Sequence, residues 1–448
     1  MKVVKFGGSS VADAKQILKI LDIIKSDSDR RIVVVSAPGK RYGDDIKVTD
    51  LLIGLAEAVV AGRDFTDALE AVVHRYAEIQ KDLGLNKAIV DQIRGDLQGR
   101  IAGRSSHEAQ FMDTMKASGE DNNAKIIAQA FKQQGVAATY VDPKEAGMLL
   151  SDDFGNAQVL PESFDRLATL KDMSEIAIFP GFFGYTEQDE VATFPRGGSD
   201  ITGAILAAAV KADVYENFTD VDSVFAIDPR IKEDAPALSL LTYREMRELA
   251  YAGFGVFHDE AIMPAVQANV SICIKNTNRP DAPGTMIVPE RKYKHGAVTG
   301  IASAQGFSTL NLNKYMMNRE LGFGRRLLQI LEEESLSFEH CPTGIDDMSV
   351  ILQSAPFSPE KETHVLNRIR TELRVDGVTL EHGLALIMIV GEGMRYAVGV
   401  AAKACESLAD AGVNLEMINQ GASEISIMFG VKAVDRKQAV RALGKALL

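Results

Sequence analysis

Short apolar runs that alternate with stretches of helical period constrain this chain more than any other feature. Val3–Phe6, Ile32–Val35, Val136–Val141, Ile176–Phe179, Val214–Phe218 and Ile272–Ile274 read as buried strands. Between the first two, Val11, Ala14, Ile17, Leu18, Leu21 and Ile24 recur at helical spacing. Further helices are predicted over Asp50–Val60, Asn122–Lys132, Ile201–Val210 and Tyr243–Ala252. Such alternation predicts an α/β domain with a parallel-rich central sheet covered by helices. Open sheets of this kind bind ligands beyond the carboxyl ends of their strands, so the loops there come first.

The pattern stops at Asn276–Gly296, a linker with Pro280, Pro283, Pro289 and the basic stretch Arg291–Lys294. Beyond it the chain repeats itself. Superposing 307–352 on 384–429 matches Gly322 with Gly399, Leu331 with Leu408, Glu339 with Glu416, Gly344 with Gly421 and Ser349 with Ser426. Each copy reads strand, glycine, amphipathic helix, strand, glycine turn, strand, which predicts a duplicated α+β unit rather than two unrelated segments. A length of 448 residues allows about two to four domains. The boundaries read as 1–294, 298–376 and 377–448, with strand 298–304 able to pair with the last.

Composition mainly excludes. The longest apolar runs, such as Leu384–Val390, fall far short of the roughly 18 residues a membrane span needs, so no membrane association is expected. Lys2 and Lys5 flank two valines and lead straight into a glycine turn, which is unlike a secretory signal. Cys273, Cys341 and Cys405 are scattered and odd in number, which suits neither a disulfide framework nor a zinc site. A net charge of −13 argues against nucleic acid as a partner. A soluble, cytoplasmic, multidomain protein is expected.

Four constellations carry chemistry. Lys5-Phe6-Gly7-Gly8-Ser9-Ser10 follows a strand and opens a helix, where glycine N–H groups and a lysine suit phosphate. The alternative is a plain joint with Ser9 or Ser10 as cap. Neither GxxxxGK[ST] nor a strand-borne GxGxxG occurs, which removes the P-loop and the usual dinucleotide fingerprint. Arg196-Gly197-Gly198-Ser199-Asp200 precedes the helix from Ile201; an arginine fork suits a carboxylate, and Asp200 suits a cation or a cap. Ser118-Gly119-Glu120 reads as a helix start. Thr219-Asp220-Val221 through Asp228-Pro229-Arg230 is a loop beyond a strand end.

Together, KFGGSS, SGE, RGGSD and TDV…DPR in this order resemble aspartate kinase, of the amino-acid kinase superfamily. The repeat ending in Asn419-Gln420-Gly421-Ala422-Ser423-Glu424 resembles that family's paired ACT domains, which are ferredoxin-like. The resemblance spans essentially the whole chain and leaves no length for the homoserine dehydrogenase fused to some members. It implies ATP and Mg²⁺ as cofactors and L-aspartate as substrate. Lys5, Gly7, Gly8 and Ser9 are then expected on the ATP phosphates, and Thr219, Asp220, Phe225 and Arg230 on the nucleotide. Ser36, Thr49, Glu120, Phe182, Arg196, Gly197, Gly198 and Ser199 would line the aspartate pocket. Asp200 would organise the charged groups around the transferring phosphoryl, with Lys5 and Asp200 as the catalytic pair. Phe225 stands where the family has tyrosine, and Gly255 where many members carry a phosphate-neutralising lysine, in a segment aligned on His258. Lys275, Mg²⁺ with Lys5, or Lys40 and Arg41 are the candidates to supply that charge.

The reaction implied is ATP + L-aspartate → ADP + 4-phospho-L-aspartate, the first step towards lysine, threonine and methionine. Its nucleophile has a free pKa of about 3.9, so no general base is needed. The ACT pair implies feedback by lysine, threonine or both, at Gly322, Phe323, Ser337, Phe338 and Glu339. It also implies a homodimer, or a dimer of dimers, through the ACT domains. Another amino-acid kinase, or an amino-acid sensor with little activity, remain as rival readings.

Overall fold

The computed structural model describes residues 1–254, 259–292, 298–421 and 423–448, with Asp259 and Glu260 described by backbone alone. The expected positions Gly255 and His258, and Ala422 of the last motif, lie outside the described residues. The chain divides into two compact units, one of residues 1–224, 237–243 and 256–291, the other of 225–236, 244–255 and 292–448.

Among the described residues the first unit has ten strands: β1 (Lys2–Phe6), β2 (Arg30–Val35), β3 (Ala138–Tyr140), β4 (Ile176–Pro180), β5 (Phe183–Tyr185), β6 (Val191–Thr193), β7 (Val214–Thr219), β8 (Leu240–Thr242), β9 (Ser271–Asn276) and β10 (Thr285–Val288). Eight of them form one sheet in the order β3-β4-β2-β1-β7-β9-β10-β8. Every pair is parallel except β9 with β10. β10 was not legible in the proline-rich segment. Pro283 and Pro289 fall just outside its ends, where missing N–H groups do no harm. β5 and β6 form a separate hairpin.

Alternation sorts the sheet's side chains. Val4, Phe6, Val33, Val35, Ile178 and Phe218 pack in one core with α1 (Ala14–Lys25), α2 (Val48–Val60), α3 (Thr66–Leu83), α4 (Ala88–Ala102) and α5 (Glu108–Gln133). Short α6 (Pro143–Ala146) and α7 (Glu162–Leu167) follow. α8 (Gly198–Ala209) covers the other face: a Cβ on its Gly203 would lie 2.4 Å from the Tyr215 hydroxyl of β7. α9 (Tyr243–Tyr251) and α10 (Met263–Gln267) complete the order before the repeat.

Two local expectations change. The glycine turn after β1 opens a 3-10 turn, Gly8–Val11, not the α-helix; α1 starts at Ala14 because Asp13 caps it, accepting from Gln16 N at 2.9 Å. Ser118-Gly119-Glu120 does not start a helix. α5 runs from Glu108, with His107 accepting from Gln110 N, so Glu120 sits mid-helix without help from a helix terminus.

The second unit carries the repeat: β11 (Gly300–Asn313), α11 (Phe323–Glu333), β12 (Phe338–His340), β13 (Asp347–Gln353) and α12 (Pro359–Leu373), then β14 (Gly377–Val390), α13 (Val400–Asp410), β15 (Met417–Gln420), β16 (Ser426–Lys432) and α14 (Arg436–Leu447). Gly322 and Gly399 start α11 and α13 at φ +75° and +89°, a left-handed conformation that favours glycine. The strands of both repeats form one sheet in the order β12-β13-β11-β14-β16-β15, and Gly300–Ala304 of β11 pair with Leu386–Val390 of β14. Among the described residues no helix is long and apolar enough to cross a membrane.

Candidate active site

Strand parity decides what faces α8. Lys5 of β1 and Asn217 of β7 are register partners in a parallel pair, and both project away from the face that buries Phe6 and Phe218. α8 begins at the left-handed Gly197 (φ +85°), which places Asp200 in its first turn above those strands. The Lys5 ammonium lies 2.6 Å from Asp200 Oδ1, and Asn217 Nδ2 donates to the same oxygen at 2.8 Å. Lys5 is buried, and its Nζ would lie 3.4 Å from a Cβ at Gly7, so the charge rests against the glycine turn. Ser9 is exposed, whereas Ser10 is buried and shares a 2.6 Å hydrogen bond with Thr277.

A second group gathers beside α8. Phe182 adopts φ +77°, costly for an aromatic residue, and is held there by donating its N–H to Thr202 Oγ1 at 3.0 Å. Its ring is why position 198 is glycine: a Cβ there would lie 2.6 Å from Phe182 Cδ2. Ser199 is buried behind it, and Arg196 stands exposed just before Gly197.

Facing elements bring the acid. Gly119 permits α5 to approach closely, since a Cβ would lie 2.9 Å from Ala37 Cβ and 3.1 Å from Leu52 Cδ1. Glu120 is therefore buried, and burial pushes its carboxyl up to about 8, against the pull of the Ala37 amide and the Lys116 charge. Among the described residues its Oε2 has no partner. One turn on, Asn123 donates to the Ser36 carbonyl at 2.7 Å, tying α5 to the end of β2. Lys116 lies 2.8 Å from Asp113 and 5.8 Å over the Phe182 ring. Asp113 in turn accepts from Thr193 N at 2.8 Å, which anchors the strand leading to Arg196. Asn217, Asn123, Lys116 and Asp113 escaped sequence reading, because no glycine or motif marks a polar residue inside a strand or helix.

The loop from Ser36 closes over the glycine turn: Gly39 N donates to Gly8 O at 2.9 Å, and Val48 N to Pro38 O at 3.0 Å. Thr49, partly exposed, sits in the first turn of α2. Of the candidates for the charge expected at Gly255, one is engaged elsewhere and one faces away from Lys5. Arg41 is held by Asp45 and Glu78, each at 2.8 Å. Lys275 is the register partner of Phe218 and so shares its face, opposite to Lys5. Lys40 donates to Gly43 O.

Residues 1–276 match the amino acid kinase family and residues 387–447 the ACT domain. Aspartokinase 3 of Bacillus subtilis is 54% identical over 443 residues, covering 99% of this chain and 98% of that protein. The chain belongs to the aspartate kinases. Among solved structures, the Clostridium acetobutylicum aspartate kinase superposes with a TM-score of 0.91 at 35% identity, each chain covered in full. Escherichia coli aspartokinase III superposes at 0.79 in complex with aspartate and ADP, and at 0.81 with lysine and aspartate. Both show 25% identity and cover 100% of this chain and 99% of theirs.

Within this aspartate kinase the remaining candidates fall as follows. Thr219 ends β7 and donates to Asp220, whose carbonyl accepts from Asn276. Phe225 packs against the core of the second unit, and Arg230 is exposed and paired with Asp228 at 2.7 Å. In the first repeat Phe323 is buried, Ser337 and Phe338 are exposed, and Glu339 accepts from Gln353 Nε2 at 3.2 Å and from the Tyr251 hydroxyl.

Proposed function

We propose that this aspartate kinase transfers the γ-phosphoryl group of ATP to the β-carboxylate of L-aspartate with Lys5 as the central charge. The observation that carries the reading is the ion pair of the buried Lys5 with Asp200, set against Gly7. Lys5 and the N–H groups of Gly7, Gly8 and Ser9 neutralise the phosphates, and Thr219 and Asp220 hold the nucleotide. Arg196 takes the α-carboxylate of aspartate, and Glu120 its ammonium, which supplies the counter-charge that the buried carboxyl lacks. Ser36, Thr49, Phe182, Gly197, Gly198 and Ser199 shape the pocket. The carboxylate nucleophile is already ionised, so catalysis rests on alignment and charge neutralisation. Asp200, whose carboxylate lies beside Lys5, is the side chain that would stand nearest a Mg²⁺ brought in with the phosphates. Bound there, Mg²⁺ adds further neutralising charge.

An aspartyl-hydroxamate assay with Mg-ATP tests the reading: wild-type protein makes product from aspartate, and Lys5→Ala loses more than about a hundredfold in turnover. Retention of activity within about tenfold overturns the role of Lys5. Regulation is assigned to the repeats at 298–376 and 377–448, with lysine, threonine or both as effectors at Gly322, Phe323, Ser337, Phe338 and Glu339. The same assay with each amino acid, alone and together, identifies the effector. A cytoplasmic homodimer or dimer of dimers is the assembly expected, checked by light scattering.

A further inference from the structure

We propose that Asn217 is a positioning residue that keeps the Asp200 carboxylate fixed while Lys5 shifts between it and the phosphoryl group; this rests on the reading of Lys5 above. Asn217 belongs to none of the motifs that carry the resemblance. It lies in the middle of β7, 3% exposed, where a polar side chain is costly unless it has work to do; its buried neighbour Glu216 is paired with Arg30.

The geometry gives it that work. Asp200 Oδ1 accepts two hydrogen bonds, from Lys5 at 2.6 Å and from Asn217 at 2.8 Å, and the two donors are neighbours across the β1–β7 pair. The same strand holds the main chain of Asp200, since Tyr215 Oη donates to its carbonyl at 3.2 Å. Alternate residues of β7 therefore anchor Asp200 at backbone and side chain, and Gly203 leaves the room that Tyr215 needs.

A lysine that neutralises a phosphoryl group must turn some of its donors away from its carboxylate partner. Were Lys5 the sole donor, that movement would leave a largely buried carboxylate uncompensated or drag it along. A neutral amide solves the problem without a second cation to compete for the phosphate. Asn217 Oδ1, buried and without a partner among the described residues, stands ready as an acceptor beside the same ammonium. Among the described residues the charged groups facing Asn217 are Lys5 and Asp200; Tyr215, which faces the Asp200 carbonyl, is held neutral by burial.

The test compares Asn217→Leu and Asn217→Asp with wild type in the full-length protein. For Asn217→Leu we expect kcat to fall about tenfold or more, with KM for ATP and for aspartate each within about threefold and an unchanged melting temperature. Asn217→Asp places two carboxylates at hydrogen-bond distance, so one retains a proton more readily and can donate in place of the amide. Its activity relative to wild type should rise as pH falls from 8 to 6. A kcat within about threefold in Asn217→Leu, or a loss confined to KM, overturns the proposal. If Asn217→Leu does not fold, the pH profile of Asn217→Asp decides alone, and a flat ratio overturns the proposal. Wild-type protein that makes no aspartyl hydroxamate refutes the reading of the reaction, a separate outcome from any of these.

Discussion

At the scale of single residues, Glu120 stores the most informative imbalance. Burial raises its carboxyl to about 8, well above a free glutamate, and one oxygen lacks a partner among the described residues. Because the folded-state pKa is raised, the proton it holds stabilises the fold below about pH 4.3, and this contribution is lost as pH rises towards 8. Glu120→Gln carries no such dependence. Without substrates, the melting temperature of Glu120→Gln should therefore gain on wild type from pH 5.5 to 8, by up to about 1.4 kcal/mol of stability for each pH unit. Thermal melts across that range check it, and parallel curves would refute a buried, proton-holding Glu120. Binding makes the complementary prediction. The aspartate ammonium restores the missing counter-charge, so binding at pH 7 should release close to one proton, read by calorimetry in buffers of different ionisation enthalpy. Heats independent of the buffer would separate Glu120 from the substrate.

At the scale of elements, helix α5 shows how a correct residue can be read in a wrong setting. Gly119 marks a helix start in the sequence; in the fold it lies mid-helix, where only a hydrogen atom fits between α5 and Ala37. Glycine to alanine inside a helix normally stabilises by up to about 1 kcal/mol. At Gly119 the added methyl would meet Ala37 Cβ at 2.9 Å and Leu52 Cδ1 at 3.1 Å, and such overpacking costs about 1–3 kcal/mol. Gly119→Ala should thus lower the urea midpoint followed by circular dichroism. Gly54→Ala, at an exposed position of α2 with open space around it, should raise it. Equal shifts in the two variants would mean that α5 does not press on the Ser36–Lys47 loop. The contrast also measures what was legible. Strands β1, β2 and β4 announced themselves because they are largely buried and carry apolar runs, whereas Glu216 and Asn217 interrupt β7 and Lys275 interrupts β9. Lys5, Gly197 and Asp200 announced themselves because turns need glycine and charges stand out beside it. Helices α3 and α4, strand β10 and the Asp113–Lys116 pair did not. Their signals lie in partners distant along the chain: Asp113 accepts from Gly155 N and Thr193 N.

At the scale of the whole molecule, the net charge of −13 belongs to a protein whose substrates are both anions. Binding them must rest on local charge, the role proposed for Lys5 and Arg196, and not on the overall field. Organisation along the chain is subtler than a catalytic half followed by a regulatory half. Segments 225–236 and 244–255 precede the proline-rich linker yet belong to the second compact unit. Ile227 bridges to Ile301, Ile301 N donates to Ala226 O at 2.7 Å, and Arg441 Nε donates to Ile231 O at 2.9 Å. Ile227 and Ile231 are buried in the core formed by β14, β16 and α14, and Leu249 packs on Gly300. A chain cut after residue 292 strips these three side chains of their cover, at about 1.5–3 kcal/mol each. The sum, roughly 5–9 kcal/mol, rivals the whole stability of a typical domain, about 5–15 kcal/mol. Residues 1–292 alone should therefore aggregate or turn over aspartate at under about a hundredth of the full-length rate. Adding residues 293–448 as a separate chain should restore solubility on co-expression. A soluble, monodisperse 1–292 fragment with full-length kcat/KM would mean that the interleaved segments fold without the repeats, and that the linker is a true boundary.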